Sequence, residues 1–306
     1  MAVYTRLQKE EIEKILSNYN LTLKNFYMIK TGILNTNYYI ECIEGKFVLR
    51  VFEGGRKYFE ENQELEFLLE LKDIVPCCTP LQTTSGNNYI VYKNKMIALF
   101  YFIEGEPIKS FNEAYLKEIG KYLGVLHSFS IGKKLIRRSR IDMEKYYKKI
   151  DFQNIDIPFD IKEKIKILYE EVKIFNFSSL PCGVIHNDIF PDNIFVKDNK
   201  IVGILDFNEA QTAPFIIDLA IVINFWIRVY QFDLEVEKRY IDIFLEEYEK
   251  YRKLEEREKR ALDMALKKMA LTFILLRLDK FINENLSEVF IENKSFAQLL
   301  PLLEYY

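Results

Sequence analysis

The chain has 306 residues, 49% of them hydrophobic and 15% aromatic. This composition is that of a globular protein with one large or two medium domains, and it excludes an intrinsically disordered chain. The formal net charge is −3, and no run of Lys and Arg is interleaved with aromatic residues, so nucleic acid is not expected as a main partner.

The cysteines and the apolar stretches exclude further classes of protein. Cys77 and Cys78 are adjacent and the other cysteines are far away in sequence, which gives neither a zinc spacing nor a disulfide framework. Residues 1–16 are charged and helical in pattern, unlike a secretory signal. Asp218 and Arg228 interrupt the longest apolar stretch, FIIDLAIVINFWIRVY, so no membrane span is expected. We expect a cytoplasmic protein.

The first third of the chain has the pattern of a small sheet with one helix. After an opening helix, three segments alternate between apolar and polar residues, as strands separated by short turns do. Residues 61–74 then have helical periodicity, and two further strand segments follow. The strand segments are FYMIK, NYYIECI, KFVLRVF, NYIVYK and KMIALFYFI.

The rest of the chain is mostly helical in pattern. The exception is IFVKDNKIVGILDF, which alternates like a hairpin with a polar turn at Asp198 to Lys200. We predict an α+β fold with a small antiparallel-sheet lobe, residues 1–102, and a larger, mainly helical lobe, residues 103–306. A cleft between two lobes would suit nucleotide binding, because it excludes water and positions phosphates.

The groups that phosphoryl transfer requires lie within VIHNDIFPDNIFVKDNKIVGILDFN, residues 184–208. In-line transfer of a γ-phosphoryl group needs a carboxylate to accept the hydroxyl proton, and an amide oxygen and a second carboxylate to hold Mg²⁺. Asp188, Asn193 and Asp206 supply these groups. Each of them alone is more typical of a turn or a helix cap, and the joint spacing is what indicates catalysis. Pro191 argues against a helix before Asn193.

His186 is one of only two histidines and is therefore a tempting general base. We interpret it as structural support for the catalytic loop, because Asp188 is better placed by pattern to meet a substrate hydroxyl.

Candidate nucleotide contacts precede this segment. The turn TGILNTN could lie over phosphates through its backbone N–H groups and through Asn35, Thr36 and Asn37, although these are also ordinary hairpin-turn residues. Arg50 lies among apolar strand residues, where a cation needs either Glu64 of the following helix or a phosphate as partner, unless it points to solvent. Neither GxxxxGK[ST] nor GxGxxG occurs in the sequence.

HNDIFPDN, ILDF and IDLAI resemble the aminoglycoside phosphotransferase and choline kinase superfamily, which has a two-lobed protein-kinase-like fold. Within it the chain is most similar to the bacterial homoserine kinases, and the matching pieces run nearly from end to end. They are MAVYT, GILNTNYYI, VLRVFE, FPDN, DLAIVINFW and LTFILLRLD.

The resemblance implies a role for each matching residue. Asp188 would be the catalytic base, Asn193 and Asp206 the Mg²⁺ ligands, and the backbone of Tyr101 to Ile103 the contact with adenine. Asp218 would brace the catalytic loop through hydrogen bonds to its backbone. An acid within IIDLAI is costly unless it is satisfied, which is compatible with that role.

Some residues depart from the homoserine kinase pattern. Asn187 stands where those kinases have a small residue, and HND is more similar to choline kinases. Asn208 and Glu209 stand where aromatic residues usually follow the metal-binding DF. The Arg50 and Glu64 pair is more similar to the broader superfamily, so the substrate stays open.

The favoured function is an ATP- and Mg²⁺-dependent kinase that phosphorylates the hydroxyl of a small amino-bearing metabolite, with L-homoserine first, in threonine synthesis. Homoserine would need a cation for its carboxylate and an acid for its ammonium. Candidates for these contacts are Arg228, Arg138, Arg140, Glu209 and Asn187. Arg138 and Arg140 belong to the basic run KKLIRRSR, residues 133–140. An isolated run of this kind is usually a solvated loop or an anion-contacting patch.

Other functions are weighed against this one. Choline or ethanolamine would call for an aromatic cage, to which Phe225, Trp226 and Tyr230 could contribute if they are not core residues. An aminoglycoside would call for a broadly acidic pocket, and no acidic run lies near the catalytic loop. A nucleotide-binding regulatory module without turnover is the alternative of another class, and the intact Asp188 and Asp206 argue against it.

Overall fold

The computed structural model describes residues 5–29, 34–109, 112–137, 139–155, 157–230, 232–283 and 296–306. The chain packs as two compact units. The first comprises Met1–Glu106, Leu135–Arg138 and Ile194–Asn208, and the second comprises Pro107–Lys134, Ser139–Asn193 and Glu209–Tyr306. The sequence places a lobe boundary after residue 102, and it gives no signal for the two later segments that return to the first unit.

The strands of the described residues are β1 (Leu23–Ile29), β2 (Thr36–Cys42), β3 (Lys46–Val51), β4 (Pro80–Leu81), β5 (Ile90–Tyr92), β6 (Lys95–Tyr101), β7 (Glu106–Pro107), β8 (Cys182–Ile185), β9 (Ile194–Lys197), β10 (Lys200–Ile204) and β11 (Gln211–Pro214). The α-helices are α1 (Lys9–Leu16), α2 (Tyr58–Leu71), α3 (Glu113–Ser130), α4 (Met143–Lys149), α5 (Phe159–Ile174), α6 (Ile216–Val222), α7 (Leu234–Glu249) and α8 (Glu256–Asn283). The α+β prediction is confirmed.

Some predictions fall partly outside the described residues. They concern the start of the opening helix at residues 1–4 and the first turn at residues 30–33. Arg138, one of the candidate substrate contacts, also lies outside them. Within the described residues the opening helix begins only at Lys9.

An antiparallel sheet of order β1-β2-β3-β6-β4 forms the first unit, with β5 paired to β6. Alternate residues of β2 are buried, as the period of two requires, and Leu49 of β3 lies opposite Tyr38 and Leu99 of its two neighbouring strands. Ile12 and Leu16 of α1 belong to the same apolar core. All five predicted strand segments therefore form one sheet.

The predicted hairpin is confirmed. β9 and β10 pair antiparallel with Lys197 opposite Lys200. Asp198 and Asn199 between them both have positive φ, 51° and 59°, which is the backbone of a type I′ turn and is tolerated best by Gly, Asn and Asp. This hairpin joins Asn193 to Asp206 along the chain.

Close helix packing organises the second unit. α3 and α7 approach each other through Gly120 and Gly124, where an added Cβ would lie 2.7 Å from the carbonyl oxygens of Phe244 and Tyr248 respectively. α8 packs against α4, α5 and α6, and every residue of α6 is buried. A π-helical turn, Ile223–Ile227, continues α6. None of the helices that the structure describes combines the length and the apolar character of a membrane span.

Candidate active site

A buried carboxylate holds the backbone of residues 186–193, the candidate catalytic loop, where β8 ends. Asp218, in the first turn of α6, has no exposed surface. Its Oδ2 accepts the N–H of His186 at 2.8 Å, and its Oδ1 accepts the N–H of Asn187 at 2.7 Å. Hydrogen bonds to an ionised acceptor are short and strong, so the two amides before Asp188 are fixed. These are the contacts that the predicted bracing role requires.

Asn187 adopts a left-handed backbone with a φ of 65°. Gly adopts this region freely, Asn tolerates it, and other side chains are strained there. The φ of 65° thus gives a backbone reason for an asparagine at this position. The residue is 1% exposed and its Nδ2 donates to the Glu209 carbonyl at 3.3 Å, so its surroundings do not support a substrate contact.

Asn193 holds the candidate base. Its Nδ2 donates to the backbone carbonyl of Asp188 at 2.8 Å and to Asp188 Oδ2 at 3.1 Å. Because the amide nitrogen is used in this way, Oδ1 is the Asn193 atom suited to a metal ion. Pro191–Asn193 forms one 3₁₀ turn, which corrects the expectation of no helix here. Proline fits the first position of such a turn, where its missing N–H would have no partner in the helix.

His186 also supports the loop. It is fully buried, and its Nδ1 accepts the N–H of Asp188 at 3.2 Å. A ring nitrogen that accepts a backbone hydrogen bond is not available to a substrate hydroxyl, which is compatible with the structural interpretation.

Behind Asp218 lies a chain of buried polar side chains that the sequence pattern does not reveal. His127 Nε2 lies 3.1 Å from Asp218 Oδ2, and His127 Nδ1 lies 2.9 Å from the Tyr248 hydroxyl. Arg252 donates to that hydroxyl at 3.0 Å and to both carboxylate oxygens of Glu258 at 3.0 Å. Because Asp218 Oδ2 also accepts the His186 N–H, Nε2 is the donor to Asp218 and Nδ1 accepts from Tyr248.

The protonation of this chain follows from burial. Desolvation lowers the pKa of His127 in spite of its hydrogen bond to Asp218, so the ring is neutral at neutral pH. Desolvation also raises the pKa of the Tyr248 hydroxyl, although Arg252 opposes this. In the sequence, the only indication of this polar chain is His127 on an apolar face of α3, and by pattern alone such a residue is indistinguishable from other core residues.

In the first unit, Asp206 follows β10 and has a left-handed backbone with a φ of 61°. Asn208 Nδ2 donates to Asp206 Oδ1 at 2.6 Å, which orients the carboxylate. This gives Asn208, noted in the sequence only as a departure from the homoserine kinase pattern, a specific structural contact.

Two of the polar residues proposed for the turn between β1 and β2 have partners within the protein. Asn35 is buried and its Nδ2 donates to Asn208 Oδ1 at 3.2 Å. Thr36 is fully buried and donates to Glu53 at 3.0 Å. Asn37 Oδ1 is buried without a hydrogen-bond partner in the part of the chain that the structure describes. These contacts do not support a phosphate contact through the side chains of Asn35 and Thr36, and they leave Asn37 as a candidate.

Arg50 and Glu64 form a buried pair. Arg50 Nη1 lies 3.1 Å from Glu64 Oε1, and their side chains are 11% and 0% exposed. The alternative in which Arg50 points to solvent is therefore wrong. Burial acts to lower the pKa of Arg50, but the carboxylates of Glu64 and Asp206 hold it above its ordinary value. The guanidinium also lies 4.7 Å from the Phe100 ring centroid.

Tyr101 and Ile103 line a cavity in the first unit. Its volume is about 410 Å³, and residues 72–77 and Thr79 form its other walls. This is within the size range of small-molecule sites.

The candidate substrate cations have protein partners. Arg228 pairs with Glu237 at 3.1 Å, donates to the Tyr306 hydroxyl at 2.8 Å and lies 4.5 Å from the Tyr305 ring centroid. Its surroundings are thus those of a structural residue. Arg140 Nε lies 2.7 Å from the Glu209 carboxylate.

The basic run at 133–140 is not simply a solvated loop, because the Arg137 side chain has no exposed surface. Arg137 lies among carboxylates of α2 and backbone carbonyls, so the expectation of a solvated loop is wrong for this residue.

The aromatic residues considered for a choline cage belong mainly to the core of the second unit. Phe225 and Trp226 are 4% and 3% exposed, whereas Tyr230 is 51% exposed. Phe225 packs on Phe190 of the catalytic loop with 4.8 Å between ring centroids, and Trp226 donates to the Ile189 carbonyl at 2.7 Å. The two buried rings support the loop and do not form a cage.

Each of the two predicted magnesium ligands, taken by itself, is a donor of the type that this ion prefers. Asn193 and Asp206 are half-buried oxygen donors, and Asp206 is oriented by an amide. The described residues hold no cluster of three or more His, Cys, Asp or Glu side chains suited to a metal. Mg²⁺ is usually bound through one or two side chains plus substrate phosphates and water, so a small set of protein donors is what this ion requires.

Solved structures share this fold. A structure of amicoumacin kinase hAmiN in complex with AMP-PNP, Ca²⁺ and Ami has a TM-score of 0.73 at 15% identity, with 98% of this chain and 94% of that chain covered. A microcompartment-associated aminopropanol kinase has a TM-score of 0.71 at 16% identity, with 97% and 95% covered. The predicted kinase-like fold is confirmed.

Sequence relatives extend over the whole chain. The homoserine kinase of Parvibaculum lavamentivorans is 28% identical over 319 positions, covering 100% of this chain and 96% of the relative. Residues 28–260 match the model of the phosphotransferase enzyme family. Because this match covers most of the chain and includes Asp188, Asn193, Asp206 and Asp218, the chain belongs to the phosphotransferase enzyme family.

Proposed function

We propose that the protein is an ATP-dependent kinase that phosphorylates the hydroxyl of L-homoserine to give O-phospho-L-homoserine. The observation that carries the kinase proposal is the fixed catalytic loop, in which Asp218 holds two backbone amides and Asn193 holds the Asp188 carboxylate. The end-to-end similarity to a curated homoserine kinase supports the choice of acceptor.

Asp188 would accept the proton of the acceptor hydroxyl as its oxygen attacks the γ-phosphorus of ATP. The new O–P bond forms while the bond from the γ-phosphorus to the bridging oxygen of ADP breaks, so ADP leaves with that oxygen. Asn193 Nδ2 fixes the position of the carboxylate through Oδ2. A base held in this way loses little freedom when substrate binds.

Asn193 and Asp206 would hold Mg²⁺. When bound, this ion neutralises charge on the transferred phosphoryl group. Arg50, kept cationic beside Glu64, and Asn37 are the proposed contacts with the phosphates, and the Tyr101 to Ile103 backbone is the proposed contact with adenine. The Asn35 and Thr36 side chains are assigned to internal support instead.

Choline or ethanolamine as the acceptor is the second candidate. Asn187 is shared with the choline kinase pattern, but its φ of 65° accounts for that residue without reference to substrate. A quaternary ammonium group is usually bound by aromatic faces, and the burial of Phe225 and Trp226 disfavours such a cage. A module without turnover is disfavoured because the proton acceptor and both metal ligands are present.

The test is ADP release with Mg²⁺ and ATP over a panel of homoserine, choline, ethanolamine, methylthioribose and kanamycin. A clear preference for homoserine, with phosphate found on its hydroxyl by mass spectrometry, is the expected result. A preference for another acceptor would overturn homoserine as substrate and leave the kinase mechanism. Tight ATP binding without release of ADP across the panel would favour the module without turnover.

A further inference from the structure

Arg137 joins two parts of the first unit that the proposed function assigns to different tasks. Its Nη2 lies 3.0 Å from Glu61 Oε2 and 3.1 Å from Glu64 Oε2, both on α2. The same guanidinium donates to the backbone carbonyls of Phe207 at 3.3 Å and Asn208 at 3.0 Å. A planar guanidinium can reach four oxygens in fixed directions, which the point charge of a lysine cannot do.

Two of the groups that accept from Arg137, the Glu64 carboxylate and the Asn208 carbonyl, belong to residues that contact the proposed site residues. Glu64 is also the partner of Arg50, at 3.1 Å. Asn208 uses its side-chain amide to hold Asp206 Oδ1 at 2.6 Å. Arg137 therefore connects the Asn208 backbone to α2. Asn208 orients Asp206, the candidate metal ligand, and α2 carries Glu64, the partner of Arg50.

A second arginine strengthens the same attachment. Arg56 Nη1 donates to the Asn208 carbonyl, and it lies 3.8 Å from Glu61 Oε2. The Arg56 and Arg137 side chains are 4% and 0% exposed. Because two buried guanidinium groups donate to the same carbonyl, the Asn208 backbone is held from two side chains at once.

We propose that Arg137 is a positioning residue for magnesium: it sets the Asn208 backbone so that the Asn208 amide orients the Asp206 carboxylate. This inference rests on the proposed function, in which Asp206 binds Mg²⁺. Loss of a residue that orients a metal ligand typically lowers metal affinity by about 10- to 100-fold.

A purely structural role predicts a different result. Removing Arg137 alone takes one of the buried cations away from Glu61 and Glu64, which keep Arg56 at 3.8 Å and Arg50 at 3.1 Å, and a change in buried charge can destabilise a protein. The double variant Arg137→Met with Glu61→Gln removes one positive and one negative charge together. Arg50 stays paired with Glu64, and the glutamine amide oxygen can still face Arg56, which lies 3.8 Å from Glu61 Oε2. The matched control is Arg239→Met with Glu113→Gln, a 2.8 Å pair whose side chains are 65% and 37% exposed.

The experiment is isothermal titration calorimetry of ADP with Mg²⁺ and with EDTA, on the wild type, Asp206→Asn, the double variant and the control, with melting temperatures for each. We expect Mg²⁺ to strengthen ADP binding in the wild type and the control. In the double variant that gain falls by about 10- to 100-fold, and ADP affinity in EDTA is unchanged. Asp206→Asn loses the gain altogether.

The outcomes separate this inference from the proposed function. If the folded double variant keeps the wild-type gain while Asp206→Asn loses it, the role of Arg137 is overturned and the proposed function stands. If the wild type shows no gain, the metal role of Asp206 and this inference fail together. If the double variant does not fold, Arg137→Lys decides: it keeps the charge but not the four contacts, and an undiminished gain there overturns the proposal.

Discussion

His127 Nε2 lies 3.1 Å from Asp218 Oδ2, and neither side chain has any exposed surface. The same carboxylate accepts the backbone N–H groups of His186 and Asn187, so three donors surround its two oxygens. The imidazole of α3 is therefore part of the support of the catalytic loop, although it lies far before the loop in sequence. Its neutral form is the one this geometry requires, because Nδ1 accepts from the Tyr248 hydroxyl.

The first prediction concerns stability and pH. The pKa of His127 is lowered by burial from an ordinary value of 6.5. Below pH 6.5 the unfolded chain therefore binds a proton that the folded chain does not, and the free energy of unfolding falls as the pH decreases towards the lowered pKa. For one such group the slope is about 1.4 kcal/mol per pH unit. Urea denaturation measures this slope. The range is pH 5 to pH 8, because it spans the ordinary histidine pKa of ~6.5.

His127→Gln is the variant that tests this source of the slope. A glutamine amide can donate to Asp218 and accept from Tyr248 without titrating. We expect the variant to lose part of the wild-type slope below pH 6.5 while other titrating groups contribute equally to both proteins. Identical slopes would mean that His127 is not the group that titrates.

The second prediction concerns the backbone at Asn187, whose φ is 65°. Asn187→Gly keeps this backbone accessible and loses only the contact with the Glu209 carbonyl, so the free energy of unfolding should change by about 1 kcal/mol or less. Asn187→Val places a β-branched residue in the left-handed region, which costs about 1–3 kcal/mol. Chemical denaturation compares the two, and equal stability would contradict the backbone explanation.

Activity should follow the same order. A valine at this position can relieve its strain only by shifting the amides that Asp218 holds, and Asp188 is the next residue. We expect kcat to fall more for Asn187→Val than for Asn187→Gly. An equally large fall in both variants would indicate that loss of the Asn187 side chain, and not backbone strain, lowers kcat.

The local pattern of the sequence was enough for the hairpin around Asp198 and Asn199 and for the helix that contains Glu64, because period and turn chemistry are local properties. The buried chain through His127 and the burial of Arg137 were not predictable in this way. Each depends on partners that are distant in sequence, and a charged residue in a basic run looks solvated until tertiary structure supplies its acceptors. The contacts of Arg228 with Glu237 and Tyr306 were not predictable for the same reason, since both partners are distant in sequence.

The third prediction concerns the proton acceptor. Asp188→Asn removes the base but keeps the size of the side chain, so kcat should fall by about 10²- to 10⁴-fold while Mg²⁺-dependent ADP binding stays close to that of the wild type. The matched control is Asp198→Asn at the hairpin tip, where φ is 51° and asparagine is equally tolerated. ADP release and calorimetry measure the two quantities. Near wild-type turnover in Asp188→Asn would exclude this residue as the base.

The fourth prediction links helix packing to the loop. At Gly124 an added Cβ would lie 2.7 Å from the Tyr248 carbonyl oxygen and 2.9 Å from Tyr251 Cβ. In an open helix Gly→Ala is stabilising by about 1 kcal/mol, but here the overlap with α7 should give a net loss of about 1–3 kcal/mol. Lys121→Ala, on the exposed side of the same helix, is the control for helix propensity.

Because Tyr248 is the partner of His127, a displaced α7 should also weaken the support of Asp218. We therefore expect Gly124→Ala to lower kcat as well as the melting temperature, with little change in the affinity for nucleotide. If the variant melts lower but keeps the wild-type kcat, the contact between α3 and α7 stabilises the second unit without affecting the catalytic loop.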